Sequence, residues 1–443
     1  MESSDTVPCV LRMKFNGASR VIAATLAAGI LAGLGAVGFH YLADYLDDAL
    51  FAWADSQRAI SRLPFVLIVP TVGMMLIGLI LQKFPEGRIG GVGEVLVSLQ
   101  RDGGKVPMMR LLNVILSGLV LAVGGSVGPE GPMVQFGALV GSQCGQLFNL
   151  SKRQLQMVVR AGAAAGISSA FRSPAGGVLL TLEIFGARFN RNLTAIAIAA
   201  GIGYLVRTTI LGDAYPFRPL EQLDALPTFT LLVLIPLMGA LASVTGHFFI
   251  KMFERWKTVL PSTWPLWVRV TLGGAMVGTI GIWFPQVLSA GYSTIRQSVT
   301  GQLSFQLLVV LLLLKMLATS ITFGSGGVGG LFAPTLVIGS LFGGAFGYGI
   351  HAIAPWMAPQ PALFVLLGMV VMFGSIIKGY WSGLLMIADM SGCYHQLLLP
   401  GVIAGGISYL LSWELYDKSI FEMTLDPGDK SREKVASSEA AAD

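Results

Sequence analysis

A single carboxylate stands in a glycine- and proline-rich segment of this sequence, just before an apolar run. Glu130 lies between Pro129 and Pro132 in GSVGPEGP, and the following residues 133–148 are apolar. Proline fits the first turn of a helix, where the backbone N–H groups lack partners and the helix dipole favours an anion. We predict that Glu130 fills this anion position as a gate and leaves it when protonated or displaced. A carboxylate that only caps its own helix is the alternative.

A second segment has the same character. Residues 324–334, GSGGVGGLFAP, are rich in glycine and also lead into an apolar run. Two broken helix starts that face each other would surround a dehydrated anion with backbone N–H donors and no full positive charge. Such a site suits conduction, because binding must be favourable enough for entry and weak enough for exit.

The two segments belong to an internal repeat. The pattern G-x-x-x-P-x-x-x-x-G-x-x-x-G begins at Gly128 and again at Gly330, an offset of 202 residues. Further along, Arg172, Gly177 and Glu183 are matched by Lys378, Gly383 and Asp389 at an offset of 206. Two ordered sets at nearly one offset predict two related halves, residues 19–215 and 216–425. Transporter halves of this kind usually run in inverted orientation, with the site at their interface.

Composition identifies the elements that must position these residues. The 443 residues are 54% apolar and 12% charged, with 56 glycines and a mean hydropathy of +0.71, so a soluble enzyme is excluded. Several apolar runs approach the ~20 residues of a membrane span, whereas others are short and broken. We predict an all-α polytopic membrane protein with apolar runs at residues 21–42, 65–81, 111–123, 133–148, 193–206, 228–249, 268–284, 305–321, 331–353, 362–377 and 397–411.

Other kinds of chemistry find little support in the sequence. The net charge of +5 requires no nucleic-acid partner, because cations between apolar runs are typical of membrane topology. Three cysteines and four scattered histidines indicate neither a disulfide framework nor a metal site. Ser126 sits in a G-x-S-x-G pattern, and residues 324–329 match a dinucleotide fingerprint, but both lie among apolar helices without the strands that those motifs require.

Together these segments resemble the CLC family of chloride channels and proton/chloride antiporters, in its prokaryotic form without CBS domains. GPEGPMVQFGALVG is similar to the family's G-[K/R]-E-G-P motif, and GGLFAPTLVIGSLFG to its G-x-F-x-P motif. SPAGGVLLTLE (173–183), SAGYSTI (289–295) and LLLP (397–400) match in order. The resemblance implies a homodimer of inverted-repeat subunits with tilted and broken helices, each with its own anion pathway. It assigns gating to Glu130 and anion binding to Gly90, Gly91, Gly131, Leu331, Phe332 and Phe421.

The sequence also departs from the family pattern. Pro129 replaces a cation, and Gly90, within residues 89–93, stands where the family places a serine. Phe421 takes the position of a tyrosine, although Tyr416 is nearby. The proton-relay glutamate of many exchangers falls on Ile184, which cannot carry a proton. These changes favour a channel-like or weakly proton-coupled pathway.

Several alternatives remain at this point. A proton-coupled chloride or fluoride antiporter is the first, and a cation-coupled organic-anion symporter is an alternative from another class. Glu183 and Asp389 are interpreted as structural, and Arg172 and Lys378 as their partners or as contacts of the anion at a pathway mouth. We expect no cofactor, with chloride or another small anion as ligand. The expected location is the inner membrane, with residues 1–18 and the disordered tail 426–443 in the cytoplasm.

Overall fold

A computed structural model of the chain describes residues 17–47, 59–88, 90–187, 192–220, 223–224 and 226–424. Ile89 and residues 426–443 lie outside this range, as does the predicted N-terminal segment apart from residues 17 and 18. The described residues form helices α1 (Gly17–Asp47), α2 (Ala59–Lys83), α3 (Gly91–Gln100), α4 (Leu111–Ala122), α5 (Glu130–Leu147), α6 (Lys152–Phe171), α7 (Pro174–Glu183), α8 (Asn192–Leu211), α9 (Ile235–Val259), α10 (Leu266–Trp283), α11 (Tyr292–Val299), α12 (Phe305–Gly324), α13 (Phe332–Ile353), α14 (Pro361–Met372), α15 (Tyr380–Ser391), α16 (Tyr394–Leu415) and α17 (Ile420–Met423).

Short turns extend several of these helices. Five-residue π turns, Thr230–Leu234 and Phe373–Ile377, precede α9 and follow α14, and three-residue 3₁₀ turns lie at Pro85–Gly87, Met108–Arg110 and Pro285–Val287. Within the described range, eight helical stretches are long and apolar enough to cross a membrane. Their outward side chains include Leu205 and Leu232, which are 60% and 67% exposed in the isolated chain.

Helices at the centre of the molecule cross at small residues. Gly137 on α5 packs so closely on Gly162 of α6 that a Cβ at either position would overlap the carbonyl oxygen of the other. The same relation holds between Gly339 on α13 and Gly368 on α14. Small residues let helix backbones approach closely where lipid supplies no hydrophobic drive for association. The matching crossings show that the repeat predicted from the sequence is a repeat of helix packing.

The two halves are related by an inversion of direction. The Ser173 hydroxyl at the start of α7 bonds Asp389 near the end of α15, and Ser382 at the start of α15 bonds Glu183 at the end of α7. The two helices are therefore antiparallel. Arg172 and Lys378, the residues before these helices, both have positive φ, 56° and 66°. The predicted all-α architecture of inverted, broken helices is confirmed.

Candidate functional site

The two glycine-rich segments meet at the centre of the molecule. The Gly128 N–H donates to the Gly330 carbonyl at 2.7 Å, and the Gly330 N–H donates back to Gly128 at 2.9 Å. This antiparallel bridge brings the starts of α5 and α13 side by side. The first N–H groups of both helices therefore lie at the interface of the two halves, as the sequence predicts.

Glu130 lies at this junction and is 1% exposed. One carboxylate oxygen, Oε2, accepts the backbone N–H of Ala333, in the first turn of α13, at 3.3 Å. The other, Oε1, accepts the hydroxyl of Tyr292 at the start of α11. The carboxylate thus bonds the N-terminus of a helix from the opposite half and does more than cap its own helix.

Two cavities approach the junction. The first, the Glu130 cavity, measures about 620 Å³ and is lined by Glu130, Tyr292, Arg207 and Arg296 among others. The second, the Phe421 cavity, measures about 300 Å³ and is lined by Gly131, Leu331 and Phe421 among others. Because Glu130 and Gly131 are consecutive residues, the start of α5 separates the two cavities.

The charges of the cavity walls favour anions. Arg207 and Arg296 line the Glu130 cavity, and Arg88, Lys257 and Arg269 line the Phe421 cavity. Among the described lining residues, Glu130 alone carries a carboxylate. Cations around a narrow, low-dielectric cleft raise the local concentration of anions. The sequence analysis did not identify these cations, because they come from loops and helices far apart in the chain.

Gly90 lines the Phe421 cavity, and Asn113 occupies the space beside it. A Cβ at Gly90 would overlap all three terminal atoms of the Asn113 side chain. Asn113 is 1% exposed and donates its amide to the Gly87 carbonyl at 2.6 Å. A serine side chain at position 90 would therefore have no room in this conformation, because the Asn113 carboxamide from α4 occupies the space. Sequence reasoning missed Asn113, which sits in an apolar run.

The other predicted anion-binding glycines and Leu331 also reach the Phe421 cavity. Gly91, Gly131 and Leu331 line it, and Leu331 is the N-cap residue of α13. The Gly91 N–H, however, donates to the side-chain oxygen of Gln135 at 2.7 Å. The amide of Gly91 therefore has a protein acceptor in this conformation.

Phe332 and Phe421 belong to a buried aromatic cluster. The Phe332 ring centroid lies 5.0 Å from Phe421, 5.5 Å from Phe171 and 5.7 Å from Phe373. Phe421 faces the cavity, whereas the Tyr416 hydroxyl bonds the Ser375 carbonyl at 2.8 Å. Phe421, and not the neighbouring tyrosine, thus lines the Phe421 cavity.

Glu183 bonds the start of the opposite helix. It accepts the backbone N–H groups of Trp381 at 2.7 Å and Ser382 at 3.0 Å, at the beginning of α15. This cap accounts for its presence in an apolar run. Ile184, the next residue, is half-buried against the core.

Arg172 and Lys378 do not pair with the side-chain carboxylates of Glu183 and Asp389, although one interpretation of the sequence predicted this pairing. Arg172 pairs with Asp213, with Nε at 2.8 Å from Oδ1, and bonds only the backbone carbonyl of Asp389, at 3.2 Å. The guanidinium of Arg172 holds the pKa of Asp213, an exposed loop residue, below its usual range. Lys378 donates to the Ser412 hydroxyl at 2.6 Å and lies over the Tyr416 ring.

Comparison with known proteins places the chain in a family. Residues 73–413 match the family described as voltage gated chloride channel. A Ralstonia nicotianae protein named "Putative chloride channel protein ClcB-like" is 30% identical over 367 residues, covering 81% of this chain and 85% of that protein. A Vibrio parahaemolyticus protein named "H(+)/Cl(-) exchange transporter ClcA" is 29% identical over 395 residues, covering 85% and 82%.

Solved structures share the fold. The crystal structure of a slow cyanobacterial Cl⁻/H⁺ antiporter has a TM-score of 0.83 at 22% identity and covers 91% of this chain and 96% of its own. A CLC-type fluoride/proton antiporter has a TM-score of 0.78 at 22% identity, covering 93% and 98%. Since the family match extends over most of the sequence, this chain belongs to the voltage gated chloride channel family, the CLC family of membrane anion transport.

Proposed function

We propose that this protein conducts chloride across the membrane along the two cavities and that Glu130 is the gate between them. The observation that carries the proposal is the contact of the Glu130 carboxylate with the Ala333 N–H at the start of α13. A helix N-terminus is a natural anion site, so the carboxylate holds the place that a permeating anion would take. Gly90, Gly91, Gly131, Leu331, Phe332 and Phe421 are proposed to surround the rest of the anion path.

Chloride flux from liposomes tests the gate. Glu130→Gln is nearly isosteric and carries no charge, so we expect it to raise or unlock flux and to abolish pH dependence. Glu254→Gln is the matched control, because Glu254 is an exposed carboxylate paired with Lys251 away from the cavities. Wild-type flux and pH dependence in Glu130→Gln would refute the gate.

We further propose that chloride moves with little or no coupled proton. Ile184 has no ionisable group at the relay position, and Phe421 brings no hydroxyl to its cavity. Proton-coupled antiport of chloride or fluoride is the second candidate. It is favoured by the match to a relative named as an H⁺/Cl⁻ exchanger and by the likeness to two antiporter structures.

Simultaneous recording of chloride efflux and external pH separates the two candidates. Under a chloride gradient we expect efflux with no uphill proton movement. Sustained proton pumping driven by chloride alone would establish antiport. The same assay with fluoride and nitrate ranks the anions. An organic-anion symporter would need further intramembrane carboxylates, and the described cavity linings offer Glu130 alone.

We also propose a homodimer in the inner membrane, with both termini in the cytoplasm and with halves at residues 19–215 and 216–425. Family membership supports the dimer and the location. Light scattering of the detergent-solubilised protein should give twice the 46.9 kDa chain mass. A monomer that retains full flux would refute the dimer.

A further inference from the structure

Tyr292 contacts the gating carboxylate from a distant part of the chain. It begins α11, 162 residues after Glu130, and donates its hydroxyl to Oε1 while Ala333 donates to Oε2. Both carboxylate oxygens are therefore held, one by each of two elements. The motif SAGYSTI contributed to the family resemblance, but no role is predicted from it for this tyrosine.

The turn before Tyr292 is held by a buried lysine. Lys315 on α12 is 0% exposed and donates its amine to the carbonyls of Val287 at 3.0 Å and Ser289 at 2.8 Å. The Ser289 hydroxyl donates in turn to the Leu121 carbonyl at 3.0 Å. A buried ammonium bonded to backbone carbonyls fixes the path of this turn. The tyrosine ring also packs against Phe217, with centroids 6.0 Å apart.

We propose that the Tyr292 hydroxyl is a latch that holds the ionised Glu130 in its closed position. The proposal rests on the gating role of Glu130 proposed above. A hydroxyl that donates to a carboxylate stabilises the ionised form and loses much of that interaction when the carboxyl is protonated. Release of the gate therefore requires this bond to break, and an entering anion competes with the carboxylate for the helix N-terminus.

Other charged and titratable groups face the same cavity. They are His40 and Tyr41 on α1, Arg207 on α8 and Arg296 on α11. The described parts of α6 that line the cavity contribute Ser169 and Ala170, which do not titrate in the accessible range. His40 is the imidazole among them, so its contribution to a pH profile must be separated from that of the latch.

The test is the pH dependence of chloride flux in Tyr292→Phe, which removes the hydroxyl and keeps the ring. Without the latch the carboxylate is protonated more easily, so half-maximal flux should occur about one pH unit higher. This is a tenfold change in proton concentration, or about 1.4 kcal/mol. Tyr348→Phe is the matched control, since the Tyr348 hydroxyl bonds the Ser298 carbonyl of α11 and not Glu130. We expect its profile, and that of His40→Gln, to match the wild type.

Combination with Glu130→Gln completes the test. If the hydroxyl acts through the carboxylate, Tyr292→Phe should have no further effect in the Glu130→Gln background. An unshifted profile in Tyr292→Phe, an equal effect in the Glu130→Gln background, or loss of pH dependence in His40→Gln would each overturn the latch. Raised flux in Glu130→Gln together with any of these results would overturn the latch alone and still support the gating role of Glu130. Unchanged flux in Glu130→Gln would refute the gating role itself.

Discussion

Installing the family's serine at position 90 should destabilise this protein, because Asn113 already fills that space. A Cβ at Gly90 overlaps the Asn113 carboxamide, which is bonded to the Gly87 carbonyl at 2.6 Å and buried. Forcing extra atoms into a packed interior typically costs about 1–3 kcal/mol. Displacing the carboxamide leaves a buried carbonyl without its donor, which costs about 1–3 kcal/mol more. We therefore expect Gly90→Ser to lower the free energy of unfolding by about 2–6 kcal/mol.

A double-mutant cycle with Asn113→Ala isolates the overlap. Asn113→Ala alone should lose the bond to Gly87 but make room for the serine. In the Asn113→Ala background both terms are absent, so Gly90→Ser should lower the free energy of unfolding by about 2–6 kcal/mol less than it does in the wild type, measured in mixed SDS–detergent micelles. Equal costs in both backgrounds would show that the two side chains do not compete and would refute this account. Flux measured on the double variant reports whether a serine hydroxyl alters the ranking of chloride and fluoride.

Three further predictions follow from the packing and the ion pairs. Lys315→Met should lower the free energy of unfolding by about 1–3 kcal/mol, because the carbonyls of Val287 and Ser289 lose their donor. The exposed control Lys251→Met should change it by no more than about 0.5 kcal/mol, and equal effects would contradict the role of the buried amine. Gly137→Ala should destabilise the protein, because its Cβ meets the Gly162 carbonyl. Gly201→Ala has open space around the new Cβ and should be neutral or stabilising, and the reverse order of stabilities would contradict the close crossing. Because its pKa is lowered, Asp213 paired with Arg172 stabilises the folded protein above about pH 4, and this stabilisation is lost as the pH falls further. Thermal unfolding of Asp213→Asn should therefore lack this loss of stability in acid. An equal loss of stability in both proteins would contradict the pairing.

The apolar runs of the sequence predicted exposed and central helices alike, with α6 as a central exception. The apolar run at residues 193–206 corresponds to α8, and the run at 305–321 to α12. In contrast, α6 (Lys152–Phe171) was not predicted as an apolar run, although most of its residues are buried. It consists largely of alanine, glycine and serine, which are selected for close approach of backbones and give little hydropathy signal. A central helix of this kind is visible only through its spacing of small residues.

The junction was predictable because each half carries its own local signal. The spacing G-x-x-x-P before an apolar run marked both Gly128 and Gly330, and the common offset linked them. Asn113 and Tyr292 were not predictable in the same way, because their contacts depend on how separate helices pack. Each is a single polar side chain near an apolar segment, with no spacing rule that relates it to Gly90 or Glu130. The structure therefore adds Asn113 beside Gly90 and Tyr292 beside Glu130.

Proton coupling can be tested by returning a carboxylate to position 184. Ile184 follows Glu183, whose own carboxylate is engaged by the N–H groups of α15 and is not free to shuttle protons without breaking that cap. A glutamate at 184 would add an ionisable group at a half-buried site next to this cap. We expect Ile184→Glu to raise the ratio of protons to chloride in the combined efflux and pH recording, and the neutral control Ile184→Gln to leave it unchanged. If the wild type already pumps protons at a fixed ratio and Ile184→Glu does not alter it, protons reach Glu130 by another route and the missing carboxyl at position 184 does not limit coupling.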